Sequence, residues 1–83
     1  MTRDILLRKV IYKSLHRGCK ENDILIGKFA ASQLQDFSDE SLLIYADFLE
    51  EDDYKIYHWI LNNEITSDKY LDIITKIRKF HSL

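Results

Sequence analysis

Residues 16–24 read HRGCKENDI. The stretch holds one of the chain's two glycines and its single cysteine. Its reading decides the fold, because apolar residues recur with helical spacing on both sides of it. Before it, Leu7, Val10, Ile11 and Leu15 fall at the 3.6-residue period, with Lys9, Lys13 and His16 on the other side. That pattern predicts a helix over 3–16. After it, Leu25, Ile26, Phe29, Ala30 and Leu34 gather on one side of a second helix over 20–34. Gly18 stands where a helix leaving through the left-handed conformation wants a residue without a side chain. The stretch reads as a turn between two helices.

Moving outward, Gly27 sits inside the second helix at a cost of about 1 kcal/mol against Ala, which predicts close packing against a neighbouring helix. Ser38 is a good N-cap, Asp39 and Glu40 suit the positive end of a helix dipole, and Phe37 with Leu42 is spaced as a hydrophobic staple. A third helix follows with Leu42, Tyr45, Ala46 and Leu49 as its core stripe. Glu50, Glu51, Asp52 and Asp53 then favour a break over the alternative of one continuous helix from Asp39 to Leu61, because four adjacent acids suit a capped start better than a helix interior. A fourth helix over 54–62 is capped by Asp52 or Asp53, and its Trp59 lies at the edge of the apolar face, packing on the core. A fifth begins at Thr66, with Ile65 and Tyr70 as a second staple. Its apolar face is Tyr70, Ile73, Ile74, Ile77 and Phe80, with Asp72, Lys76 and Lys79 toward water. The expected architecture is all-α: a single small bundle of about five short helices, one domain over 1–83.

Composition agrees. The chain has 83 residues, 46% hydrophobic and 31% charged, with two glycines and no proline, too few breakers for a sheet-rich fold. A chain of this size buries roughly 60–65% of its unfolded surface, enough for one core and little for a deep catalytic cleft. The net charge of −2, with both signs interspersed, argues against a nucleic-acid binder. So charged a surface also suits a monomer. One cysteine makes no internal disulfide, which points to a reducing compartment. No apolar run approaches about 18 residues, so no membrane span is expected. The helical pattern begins at once, without a secretory signal, which suggests a bacterial cytoplasm, with the mitochondrial matrix as the alternative.

Candidate chemistry is sparse. Cys19 near a helix start has the setting of a lowered thiol pKa, with His16 close by, yet no third orienting group or oxyanion site accompanies them. Cys19, His16, His58 and His81 do not supply four zinc ligands at recognisable spacing. The acidic run lacks the alternating donors and turn glycine of a calcium loop. Neither an enzyme nor a metal protein is expected. The turn reads differently. Arg17 is a planar, always-charged fork suited to carboxylates and carbonyls. Glu21, Ile24 and Lys28 lie opposite the core stripe of the second helix. Together with Gly18 they make an outward-facing docking epitope, while Asp23 falls nearer the core edge and braces the turn. An exposed turn of this kind is expected to accept Gly18→Arg without loss of fold.

At these residues the chain resembles a known family. Residues 17–23, RGCKEND, match the RGxxExD pattern of the SdhE family, the flavinylation factors also called succinate dehydrogenase assembly factor 2. Tyr12 and Ser14 fit the end of the helix before the motif, and the apolar run from Ile24 to Phe29 fits the segment after it. The family's later acidic stretch, aromatic and tryptophan are matched by Glu51, Asp52, Asp53, Tyr57 and Trp59. Two departures stand out. Many members carry a second arginine where this chain has His16, which softens the positive charge, and Asn62 and Asn63 replace a glycine after the tryptophan. The resemblance implies an assembly factor, not an enzyme. Such a chaperone would promote covalent attachment of FAD to the flavoprotein subunit of succinate dehydrogenase, and in some bacteria of fumarate reductase. It would bind through His16, Arg17, Gly18, Glu21, Asp23, Ile24 and Lys28, with the FAD belonging to the partner and none held stably by the chain itself. The alternative is a helical adaptor or regulator unrelated to flavin.

Overall fold

The computed structural model describes residues 2–18, 20–62 and 68–83. They form α1 (Arg3–Leu15), α2 (Lys20–Gln33), a 3-10 turn (Leu34–Asp36), α3 (Asp39–Phe48), α4 (Asp53–Leu61), a second 3-10 turn (Asp68–Tyr70) and α5 (Leu71–Phe80). The fold is all-helical, as the spacing predicts. Local chemistry sets most boundaries. The Ser38 hydroxyl accepts from the Ser41 amide at 3.1 Å and starts α3, and the Asp52 carboxylate accepts from the Tyr54 amide at 3.2 Å and starts α4. The break at the acidic run is therefore real, with Asp52 as the cap. The expected start of the fifth helix at Thr66, and its staple through Ile65, lie outside the described residues. Within them, α5 is entered through a 3-10 turn and begins at Leu71.

The core is built from Ile26, Phe29 and Ala30 of α2, Leu42, Tyr45 and Phe48 of α3, Ile56 and Ile60 of α4, and Ile74 and Ile77 of α5. Each such large side chain contributes roughly 1.5–3 kcal/mol by leaving water. A run of rings crosses it: Phe29 to Tyr45 at 6.4 Å between centroids, Tyr45 to Phe48 at 5.8 Å, Phe48 to Trp59 at 6.3 Å. Trp59 is 6% exposed, in line with its core reading. Gly27 is buried because an added Cβ would lie 2.9 Å from Leu15 Cδ2 and 3.4 Å from the Ser14 carbonyl, so α1 and α2 approach closely there.

Several expected core positions are placed differently. On α1 the buried strip is Val10 and Ser14, with Leu7 and Ile11 half-buried and Leu15 exposed. Ser14 tolerates burial because its hydroxyl donates to the Val10 carbonyl at 2.7 Å and pairs with the Tyr45 hydroxyl at 2.6 Å. Leu25 and Ala46 are half-buried, and Phe80 keeps 37% of its surface exposed. Phe48, outside the expected stripe, is fully buried.

The ends of α1 are tied to the ends of α3. At one end Arg3 donates to the Asp39 carboxylate at 2.8 Å and to the Gln35 and Phe37 carbonyls at 3.0 and 2.6 Å. At the other end Arg17, just past α1, reaches the residues that follow α3. That second tie positions the candidate site.

Candidate functional site

Arg17 is the hinge pin of the turn. Its Nη1 donates to the Leu49 carbonyl at 2.5 Å, its Nη2 to the Glu51 carbonyl at 2.9 Å, and its Nε to Asp53 Oδ1 at 2.5 Å. The side chain is only 12% exposed. The fork thus satisfies carbonyls that the end of α3 leaves without helical partners, and places positive charge at the negative end of that helix. Asp53 opens α4, where a carboxylate is favoured by the dipole. Burial pushes the Asp53 carboxyl upward, but the hydrogen bonds from Arg17 and Asn22 and the guanidinium charge outweigh it and hold the group below its ordinary range.

Two α2 residues complete the brace. Asn22 is fully buried, and its Nδ2 donates to the Asp53 carbonyl at 2.9 Å and to Asp53 Oδ1 at 3.1 Å. Asp23 Oδ1 accepts from the Arg17 backbone amide at 2.9 Å. The bracing role expected of Asp23 is what its geometry gives. The expectation for Arg17 is corrected: its fork does not point outward but is occupied by α3–α4 backbone and a carboxylate. Neither Asn22 nor Asp53 is among the predicted site residues: the sequence offers Asp53 as a candidate helix cap, and Asn22 carries no pattern. Cys19, weighed as a nucleophile, lies outside the described residues.

What faces water is the rest of the set. His16, Gly18, Glu21, Ile24 and Lys28 are all exposed. At 100° per residue, Glu21, Ile24 and Lys28 share one narrow face of α2. Ile24 keeps 47% of its surface in water. His16 is held by its own helix end: its ring stacks on Tyr12 at 4.3 Å between centroids, and its Nδ1 donates to the Tyr12 carbonyl at 3.0 Å. Gly18 adopts φ +86°, and an added Cβ there meets nothing within 4 Å. The space around it is open, yet an L side chain is strained at that φ. The open space expected around Gly18 is what the structure gives, and Gly18→Arg meets backbone strain of about 1–2 kcal/mol there rather than a clash. Beside this face a shallow groove of about 240 Å³ runs between α2 and α4, lined by Glu21, Ile24, Leu25, Tyr57 and Leu61.

Such an arrangement suits binding. Gly18 leaves the turn without side-chain bulk, and Glu21, Ile24 and Lys28 present two charged groups and one aliphatic side chain on a single exposed face.

Comparison with known proteins gives one consistent answer. Residues 8–81 match the family model described as a flavinator of succinate dehydrogenase. The chain is 37% identical over 76 residues to succinate dehydrogenase assembly factor 2-A, mitochondrial, of Drosophila persimilis, covering 89% of this chain and 48% of that protein. It is 37% identical over 62 residues to the mitochondrial assembly factor 2 of Meyerozyma guilliermondii, covering 75% of this chain and 46% of that one. Against the mitochondrial assembly factor 2 of Komagataella phaffii it is 35% identical over 83 residues, covering 94% of this chain and 44% of the relative. The chain spans about half the length of the curated relatives it matches.

Proposed function

The chain belongs to the family of flavinators of succinate dehydrogenase, and from that premise we propose that it promotes covalent attachment of FAD to the flavoprotein subunit of that enzyme by docking on it through the exposed face at the α1–α2 turn. The observation that carries this reading is the division of labour at the turn: Arg17, Asn22 and Asp23 fix it from behind, while Gly18, Glu21, Ile24 and Lys28 stand in water. A face held rigid before contact loses less freedom on binding.

The factor acts by differential affinity. It binds the flavoprotein conformer in which histidine and flavin meet better than the conformers in which they do not, and so shifts the population. A difference of about 5.5 kcal/mol turns a 1:99 equilibrium into 99:1, and less suffices to speed a slow covalent step. The flavin belongs to the partner, and the chain works as a monomeric chaperone rather than as the catalyst. It shares the compartment of that partner, the mitochondrial matrix or a bacterial cytoplasm.

The test is the flavin covalently bound to the dehydrogenase subunit, read by fluorescence in denaturing gels from cells with and without this chain. Loss of bound flavin without the chain, restored by wild type and not by Ile24→Asp, is the expected result. Equal flavin in its absence would overturn the reading.

A further inference from the structure

The exposed α2 face does not stop at its own helix. Glu21 and Ile24, which belong to the docking face, also line the groove of about 240 Å³ whose other wall is Tyr57 and Leu61 of α4, with Leu25 between them. Four of these five residues are apolar or aromatic. Ile24 and Leu61 are exposed at 47% and 38%, and Tyr54, two turns before Leu61 on α4 and outside the groove's lining, at 70%. Exposed apolar side chains that adjoin one another can receive an apolar partner group, whereas single scattered ones are ordinary.

The brace explains why this groove is ready-made. Arg17 and Asn22 both grip Asp53, the first residue of α4. They therefore fix the start of α2 against the start of α4, the two helices whose facing side chains make the groove. A tie serving only the turn would need no partner on α4.

We propose that the α2–α4 groove is the second half of the docking surface and receives an aliphatic or aromatic side chain of the flavoprotein, with Tyr57 and Leu61 as contact residues. This rests on the docking reading above, since two of the groove's walls are that reading's own residues. An apolar occupant follows from the lining: among the described lining residues Glu21 alone is charged, and the other four offer aliphatic and aromatic surface.

The experiment measures affinity of the purified, unflavinylated flavoprotein subunit for the full chain by calorimetry. The variants are Leu61→Lys, Tyr57→Ser and Leu61→Met. Removing an apolar contact at the centre of an interface weakens binding about tenfold, so Leu61→Lys and Tyr57→Ser should each do so, while Leu61→Met should stay within about threefold of wild type. Thermal melts establish that each variant is folded, and Leu61→Lys, at an exposed position, decides the matter if Tyr57→Ser is not. Wild-type binding with Leu61→Lys unchanged overturns the groove and leaves the docking reading intact. No wild-type binding overturns both. A groove variant that instead abolishes self-association of the free chain, seen by sedimentation, makes the groove a contact between copies and also overturns the inference.

Discussion

Arg17 Nε lies 2.5 Å from Asp53 Oδ1, although 36 residues separate the two in sequence. The same guanidinium holds the Leu49 and Glu51 carbonyls, so one side chain closes the corner between α3 and α4 and fixes the α1–α2 turn to it. Arg17 therefore sets the shape of the turn from behind, and the residues left exposed there are its neighbours Gly18, Glu21, Ile24 and Lys28.

Replacing Arg17 should cost stability first. Arg17→Ala leaves two carbonyls without their donor and the Asp53 carboxylate with Asn22 but no guanidinium, and the expected loss is about 2–3 kcal/mol in urea denaturation. Arg17→Lys should recover only part of it, because an ammonium cannot reproduce the planar fork across three acceptors. A midpoint for Arg17→Ala indistinguishable from wild type would show the brace to be idle.

The brace also sets a pH signature. The Asp53 carboxyl is held below its ordinary value in the fold, and so is Asp47, chiefly by its hydrogen bond from Lys69 and then by Tyr70. In each case the unfolded chain takes up a proton before the folded one does. Their contribution is thus complete above the unfolded carboxylate value of about 4 and is lost as pH falls through the lower folded values. Urea midpoints measured from pH 6 downward should stay level to about pH 4 and then drop. Asp53→Asn should be less stable at neutral pH and show a shallower acid limb. An unchanged limb in that variant would remove Asp53 from the account.

The helices and their caps were legible because they rest on short-range chemistry. Ser38 to Ser41 and Asp52 to Tyr54 are contacts over three and two residues, and the apolar spacing of α2 to α5 marks their inner faces. The site was legible only in part. Nothing in HRGCKENDI tells that Arg17 finds its acceptors 32 to 36 residues away, since that depends on where α3 ends in space. Asn22 and Asp53 were hidden for the same reason. The buried strip of α1 departs from its apolar spacing for a similar reason: Ser14 tolerates burial because Tyr45, 31 residues on, supplies a hydroxyl, while Leu15 lies against Gly27 and stays 42% exposed.

Gly18 carries a backbone requirement separable from docking. At φ +86° an L residue costs about 1–2 kcal/mol, whatever the open space around it. Gly18→Ala should lower stability by roughly that amount. D-alanine at the same position, introduced by semisynthesis, should be at least as stable as glycine, because its preferred φ is positive. If both replacements destabilise equally, side-chain contact rather than backbone strain is responsible. If D-alanine keeps the fold and loses the partner, the glycine is also needed bare at the interface.

At Gly27 the balance turns on one flexible neighbour. Alanine in a helix interior gains about 1 kcal/mol over glycine. Here the new Cβ would meet Leu15 Cδ2 at 2.9 Å, but Leu15 is 42% exposed and its side chain has room to swing outward. Gly27→Ala should therefore be near neutral, within about 0.5 kcal/mol, the helical gain offset by the displaced leucine. In a Leu15→Ala background the obstacle is gone, and the same change should stabilise by about 1 kcal/mol, giving a coupling of similar size in a double-mutant cycle. Gly27→Leu should destabilise by more than about 2 kcal/mol in both backgrounds, because the larger side chain runs into the Ser14 carbonyl, which is backbone and does not yield. Should Gly27→Ala lose more than about 1 kcal/mol even without Leu15, the limit is set by the backbone of α1, and the two helices are closer than a methyl group allows.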